Sequence, residues 1–280
     1  MKSKLLILGA TGTVGSELLN ILQNDFQIYA VHRKKNINKN KGIIWIDKKN
    51  IKKLQKYKFK FIINCLAVHS FSKKQKLSDY IESNIYLFID IIKNINKSAI
   101  ILNLSTISKF DLNNKKINES SDYSYSSLLA VTKNTLDKIL FFQNKKYINL
   151  LLPGVLSFNK DFDRPILKKI ILDIKKNKKI RIYNTKIKFN SFIDIIEIYK
   201  FILHINNFAN IKSGDYILAP NSNLKFIEII NFYKILYNSK SKIIDLGNDN
   251  RNYILSNKKI KTNFKFNIST PLDILKRYRI

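Results

Sequence analysis

The stretch that decides the fold is the first fifteen residues, MKSKLLILGATGTVG. Leu5, Leu6, Ile7 and Leu8 form a short apolar run, as expected of a strand buried on both faces of a parallel sheet. Gly9 ends the run. Gly12 and Gly15 follow, and then Glu17, Leu18, Leu19, Ile21 and Leu22 at helical spacing. A strand, a glycine turn and a helix together present backbone N–H groups and a helix N-terminus to a pyrophosphate. Gly9 allows the tight turn, Gly12 a close approach of backbone to phosphate, and Gly15 close packing of helix on strand. A three-glycine match alone is a weak signal, but here it sits in the required context. A strand-like DFQIYAV follows at residues 25–31.

Apolar segments alternate with helical patterns beyond that point. Residues 42–47 (GIIWID) read as a third strand ending in an acid, and Ile51 and Leu54 suggest a short helix. Residues 59–67 (FKFIINCLA) read as a fourth strand, 78–96 as a long amphipathic helix, and 99–104 as a fifth strand running into Ser105 and Thr106. This alternation predicts an α/β fold, a Rossmann-type doubly wound parallel sheet. The later chain is less periodic. Helices are expected over 161–176, 193–205 and 224–237, with a strand over 178–183. The expected division is a dinucleotide-binding domain over 1–155 and a small C-terminal substrate lobe over 156–280, some of whose elements return to the Rossmann core.

Composition narrows the function classes. The 280 residues are 45% hydrophobic, enough for one α/β domain and a smaller lobe. A single cysteine rules out a disulfide framework and a cysteine-ligated zinc site, and three histidines (His32, His69, His204) argue against a histidine metal site. No apolar run approaches the ~20 residues of a membrane span, and the N-terminal run is too short for a signal peptide. These features point to a cytoplasmic protein. The net charge is +31. A polyanion partner is one reading. The other is codon bias, since Lys, Asn, Ile, Phe and Tyr are abundant together and there are only seven glycines and four prolines. Lysine is spread along the chain rather than gathered in one patch, which argues against a specific nucleic-acid partner.

The ordered motifs GATGTVG, FIINCLA, SNIYLFIDII and LNLSTIS resemble those of the extended short-chain dehydrogenase/reductases, the NAD-dependent epimerase/dehydratase family. IINCLA followed by LSTIS is most similar to the dTDP-4-dehydrorhamnose reductase branch. The likeness continues through INESSDYSYSSLLAVTKNTLDKIL, YINLLLPGV, FNSFIDIIEIYKFI, GDYILAP and YILSNKKIKTNFKF, nearly to the C-terminus.

The resemblance implies a cofactor cradle of Gly9, Thr11, Gly12, Thr13, Val14 and Gly15. It sets Asp47 at the adenine, Leu66 and Ala67 along the cofactor, and Asn84 in support of the active-site backbone. Pro153 and Val155 fall on the turn over the nicotinamide. After the second strand come His32, Arg33, Lys34 and Lys35, without the acid that would bind a ribose 2′-OH. Arg33 suits a 2′-phosphate, so NADP(H) is favoured over NADH.

The family's chemistry rests on Tyr-x-x-x-Lys on one helix. Here Lys133 fills the lysine place, but Leu129 stands where the tyrosine is expected. Thr106 matches the Ser or Thr that holds the reacting oxygen. Tyr125 and Tyr123 lie upstream, and Tyr125 is eight residues from Lys133, about 12 Å along a helix. His69 is a further acid–base candidate by its ordinary pKa of about 6.5. Asp137 stands where relatives often carry Glu and is expected to be structural. Arg164 and Arg181 are candidates for a sugar-nucleotide diphosphate.

The implied function is NAD(P)-dependent epimerisation or reduction of a nucleotide-activated sugar in polysaccharide synthesis. The alternative is a catalytically inactive NADP-binding relative with a regulatory or scaffold role. The resemblance also leaves a homodimer open as the assembly.

Overall fold

The structure, a computed structural model, describes residues 2–32, 42–68, 76–113, 115–143, 145–158, 166–221, 223–249 and 252–279. The chain runs β1 (Lys4–Leu8), α1 (Thr13–Leu22), β2 (Gln27–His32), β3 (Ile44–Asp47), a 3₁₀ segment (Lys48–Lys56) and β4 (Phe61–Asn64). Next come α2 (Leu77–Ile81), a π-helical turn (Glu82–Tyr86), α3 (Leu87–Ile92), β5 (Ile100–Thr106), a 3₁₀ turn (Ile107–Lys109) and β6 (Lys116–Ile117). They are followed by α4 (Leu128–Phe141), β7 (Tyr147–Leu152), β8 (Gly154–Leu156), α5 (Ile166–Lys175), β9 (Ile180–Ile182), β10 (Phe192–Asp194) and α6 (Ile195–Asn206). The chain closes with β11 (Gly214–Ile217), α7 (Phe226–Leu236), β12 (Ile243–Asp245), β13 (Ile254–Leu255), α8 (Lys258–Phe264) and α9 (Pro271–Arg277). No helix among the described residues is long and apolar enough to cross a membrane.

Two compact units share these elements. The first takes Met1–Lys109, Ser124–Leu151 and Ile205–Tyr216. Its seven-stranded sheet has the order β11-β7-β5-β4-β1-β2-β3. The pairs β1–β2, β1–β4, β2–β3 and β4–β5 are parallel. β1 lies inside the sheet, which is why Leu5 to Leu8 are all fully buried and the strand reads as an unbroken apolar run. The chain leaves β1 toward β2 on one side and reaches β4 on the other, so the winding direction switches beside β1. In open α/β sheets ligands bind at such a switch, beyond the carboxyl ends of the strands.

One face of the sheet carries Leu6, Leu8, Tyr29, Val31, Ile62 and Ile101, packed against Leu87, Phe88, Ile91 and Ile92 of α3 and Leu136 and Leu140 of α4. The helix expected over 78–96 is therefore present, but it is divided. Its middle widens into the π turn, which turns Ser83, Asn84 and Ile85 inward.

The second unit takes Phe110–Tyr123, Leu152–His204 and Ile217–Ile280. It holds three two-stranded parallel pairs, β8–β10, β9–β12 and β6–β13. The helix expected from Ile193 starts instead at Ile195, because residues 192–194 form β10 against β8. The Asp194 carboxylate accepts the Glu197 N–H at 2.9 Å and so caps the new helix start. Arg277 then clamps α9 to α6. Its Nε donates to Asp194 Oδ2 and its Nη2 to Glu197 Oε1, both at 2.8 Å. Burial would raise the pKa of Glu197, but hydrogen bonds from Ser269 and Lys200 outweigh it and hold the carboxyl below its usual range.

Positive φ falls on Asn177, Asn184, Asn238 and Lys265 as well as on glycine. Lys265 ends α8 in the left-handed conformation, φ 52° and ψ 31°. Cβ crowds the following carbonyl there, and glycine avoids the cost. Replacing Lys265 by Gly is expected to stabilise the protein by about 1 kcal/mol, read as a higher urea midpoint at unchanged slope.

Candidate active site

The glycine turn lies where β1 meets β4. Gly9 has φ +74°, and a Cβ there would stand 2.8 Å from Cys65 O, the backbone that leaves β4. A Cβ on Gly15 would stand 2.2 Å from Gly9 O, so only glycine lets α1 start this close to β1. Gly12 N–H donates to Gly9 O at 2.9 Å, and Ser16 N–H makes the first helical bond to Gly12 O. The N–H groups of Thr13, Val14 and Gly15 precede that bond, and Gly12 has no side chain to cap them. Thr11 and Gly12 are exposed and Thr13 and Val14 half-buried. This is a bare helix N-terminus at the switch point, a geometry that accepts a phosphate.

The other candidate residues are held in different ways. Asp47 ends β3, with one carboxylate oxygen accepting the Lys49 N–H at 2.8 Å. Leu66 is buried and Ala67 exposed just beyond β4. Asn84, in the π turn, accepts the Val68 N–H at 2.8 Å and donates to Thr132 Oγ1 at 2.9 Å, tying the loop after β4 to α4. Pro153 is buried and Val155 half-buried, on the second unit's side of the division. Arg33 and His69 lie outside the described residues, as do Lys34, Lys35 and Arg164.

Lys133 lies in α4 and is only 3% exposed. Its Nζ donates to Leu66 O and Leu104 O, each at 2.8 Å, joining the chain beyond β4 to β5. Burial lowers its pKa to about 8, although Asp137 and Cys65 oppose the shift. Burial also raises the Cys65 thiol to about 12, in spite of Lys133. Leu129 is half-buried one turn earlier on α4. Thr106 ends β5, and its hydroxyl pairs with Ser108 Oγ at 2.9 Å. Tyr125 is 67% exposed, two residues before Ser127, the N-cap of α4. Tyr123 stacks on Phe110 in the second unit.

The sequence reading missed one cluster. Lys109 opens a polar stretch of sequence, Lys109–Asn118, yet it is fully buried. Its Nζ donates to Asp137 Oδ2 at 2.8 Å and Asp215 Oδ2 at 2.7 Å. Asn103 Nδ2 donates to Asp137 Oδ1 at 2.8 Å and Asn149 Oδ1 at 3.1 Å, and Asn149 Nδ2 donates to Asp215 Oδ1 at 2.8 Å. The five side chains close a ring through β5, the 3₁₀ turn, α4, β7 and β11. Ser105 Oγ also donates to Asp137 Oδ2, and Asn64 to Asn103 Oδ1. Burial acts against the Lys109 ammonium, but Asp137 and Asp215 outweigh it and raise its pKa. Burial, helped by Asp215, outweighs Lys109 and Ser105 and leaves the Asp137 pKa raised. Three donors and no acceptor converge on Asp137, the environment of an ionised carboxylate.

A glycine turn at the switch point of a doubly wound sheet, with a buried lysine at the strand ends, defines a Rossmann-type fold. Residues 5–219 match the NAD dependent epimerase/dehydratase family, and the chain belongs to that family. No curated protein matches it by sequence. Solved structures match the fold along nearly the whole chain. UDP-glucuronic acid 4-epimerase from Bacillus cereus, in complex with NAD, has a TM-score of 0.77 at 15% identity and covers 99% of this chain and 100% of that one. ADP-L-glycero-D-manno-heptose-6-epimerase from Helicobacter pylori has a TM-score of 0.79 at 14% identity, covering 99% and 95%. UDP-glucose 4-epimerase from Thermotoga maritima, with UDP-glucose, has 0.77 at 13%, covering 98% and 97%.

Lys109→Met removes the charge between two buried carboxylates. It is expected to destabilise the protein by about 3–5 kcal/mol at pH 7 in chemical denaturation. Without that cation Asp137, which burial already pushes up, has a folded-state pKa still further above its unfolded one. The deficit therefore shrinks as pH falls toward the unfolded carboxylate pKa of about 3.9, where the folded protein takes up the proton first. Lys138→Met, exposed on α4, is the control and changes little.

Proposed function

We propose that the chain is a nicotinamide-dinucleotide-dependent enzyme that epimerises or reduces a nucleotide-activated sugar, within polysaccharide assembly. The observation that carries this reading is the Gly9–Gly15 turn, in a chain of the NAD dependent epimerase/dehydratase family. The dinucleotide pyrophosphate would rest on the N–H groups at the start of α1. Asp47, Leu66, Ala67, Asn84, Pro153 and Val155 are assigned to its surroundings, and Arg33 to a 2′-phosphate, which favours NADP(H). When bound, the nicotinamide supplies a reversible hydride acceptor. Lys133 would hold its ribose through the N–H left over from Leu66 O and Leu104 O, and Thr106 would orient the sugar oxygen.

The second unit supports a nucleotide-bearing substrate. A cavity of about 520 Å³ is lined by Arg181, Lys188, Tyr183, Phe189, Phe226 and Tyr253 among others. Arginine and lysine suit a diphosphate, and aromatic faces suit a base. The similar structures named above are epimerases of UDP- and ADP-linked sugars. A second reading, a non-catalytic dinucleotide-binding relative, is favoured by Leu129, which has no proton to exchange four residues before Lys133.

Binding is read by energy transfer from Trp45, the only tryptophan, with NADPH and NADH titrated at high salt and ATP as the polyanion control. Saturable NADPH binding is expected, stronger than NADH and ATP, and at least about tenfold weaker in Gly12→Val. Arg33→Glu should erase the preference for NADPH. Binding no better than that of ATP would sink the enzyme reading.

A further inference from the structure

Lysine is spread along the sequence, but the sheet of the first unit gathers part of it at one edge. Five strands stand side by side in the order β11-β7-β5-β4-β1. The backbone ties their amino ends together. Lys60 N–H donates to Lys4 O at 2.9 Å, Ile100 N–H to Lys60 O at 3.0 Å, and Ile101 N–H to Lys146 O at 2.9 Å. Tyr147 N–H donates to Ser213 Oγ at 3.2 Å, which brings the start of β11 beside that of β7. Each of the five strands begins with a lysine or has one within the three residues before it. With strands ~4.8 Å apart, the row is roughly 20 Å long.

Part of this lysine has a structural duty. Helix C-termini collect at the amino edge of a parallel sheet and favour cations. Lys2 Nζ donates to Gln23 O at the end of α1, Lys60 Nζ to Asn206 O at the end of α6, and Lys145 Nζ to Asn96 O beyond α3. Lys58, Lys97, Lys146 and Lys212 are different. They are exposed, and no ion pair among the described residues engages them. Burial, and then the charge of Lys97, lowers the Lys145 pKa, so like charges stand close here. Asp215 on β11 is committed to the buried ring, and the row ends where Asp25 precedes β2. The carboxyl edge is unlike this one. The first residues beyond β1, β4 and β5 are Gly9–Gly12, Cys65–Val68 and Ile107–Ser108, and they hold no lysine or arginine. Charge spread by codon bias would fall on both edges alike.

Two apolar rings adjoin the row. Phe141 ends α4 and Phe142 follows it, three residues before Lys145. They are 67% and 78% exposed, with ring centroids 5.3 Å apart and planes at 86°. Rings at that angle do not stack on successive bases, as a single-stranded nucleic acid would require. The strand entries also carry lysine and no arginine, whose planar fork suits phosphate-by-phosphate recognition. Point charges on flexible stems around exposed phenyl rings suit a lipid surface, where lysine meets headgroup phosphates and phenyl enters the acyl boundary.

We propose that the amino edge of this sheet docks the protein on a membrane surface rich in anionic lipid, with Lys58, Lys97, Lys146 and Lys212 on the headgroups and Phe141 and Phe142 in the acyl boundary. The glycine turn lies at the opposite edge of the sheet and stays open in that pose.

The test floats the full chain with vesicles of phosphatidylcholine, alone or with about one third phosphatidylglycerol, at about 0.15 M salt. The native chain should rise with the anionic vesicles and not with the neutral ones. Lys58→Ser, Lys97→Ser, Lys146→Ser and Lys212→Ser together should weaken that association at least about tenfold. Serine at Lys176, Lys179, Lys240 and Lys258, exposed in the second unit, removes the same charge and should change little. Phe141→Ser with Phe142→Ser keeps every lysine. It should also release the vesicles, while weak binding of an oligothymidylate stays as in the native chain. All three variants should unfold at the native urea midpoint, because every replaced side chain is exposed. Equal losses in the two lysine variants would show net charge acting alone and overturn the proposal. So would a native chain that ignores anionic vesicles. Loss of oligonucleotide but not vesicle binding in the phenylalanine variant would mark a nucleic-acid face instead and overturn it as well.

Discussion

A charge buried without compensation would cost several kcal/mol, and the first unit is arranged so that Lys109 never meets that condition. Two carboxylates hold its ammonium, and two asparagines satisfy the outer oxygens of those carboxylates. The ring accepts only one arrangement of the elements that supply it. Shifting β7 or β11 by one residue against β5 would turn Asn149 or Asp215 to the opposite face. Apolar packing tolerates small slippage, but a closed circuit of donors and acceptors does not. The ring thus fixes the register of the sheet half that adjoins α4.

That register also places Lys133. Asp137 takes part in the ring and also acts on Lys133, one turn earlier on α4. Lys133 in turn draws together the chain beyond β4 and the end of β5, next to the glycine turn. Asn84 closes the same region from the neighbouring helix, and it can do so because the π turn carries it inward. π turns recur at functional sites for this reason, since one extra residue per turn re-aims a side chain without breaking the helix. The site is therefore held by polar ties from three directions rather than by one rigid loop.

Much of this was legible in the chain and some was not, and range explains the division. The β1–turn–α1 unit is a local pattern, and its glycines are spaced by contacts within fifteen residues. The alternation from β2 to β5 was readable because buried strands carry dense apolar runs, although β4 proved shorter than its run, ending at Asn64 where the ladder ends. Lys133 and Asn84 were found through resemblance. Lys109 was not, because a lysine in a polar stretch is indistinguishable from solvated lysines until its partner is known, and Asp215 lies 106 residues away. The π turn left no trace either, since its apolar residues continue the helical period closely enough. In the second unit the strands have two or three residues, too few for alternation to register, so β10 was absorbed into the expected helix at Ile193.

The ring also bears on the order in which the chain can fold as it is made. Synthesis proceeds from the N-terminus, and domains generally fold as units. The first unit is assembled from three separated segments, the last of them Ile205–Tyr216. A nascent chain that has passed Asp137 can offer Lys109 one carboxylate, and the second arrives only when β11 is translated. Until then Asn149 lacks its acceptor and the sheet edge at β7 is unpaired. Long-range closure of this kind is slow, because loop entropy is paid before the contact rewards it. The half-built sheet must wait for residue 215, so β7 is an edge open to wrong partners during synthesis.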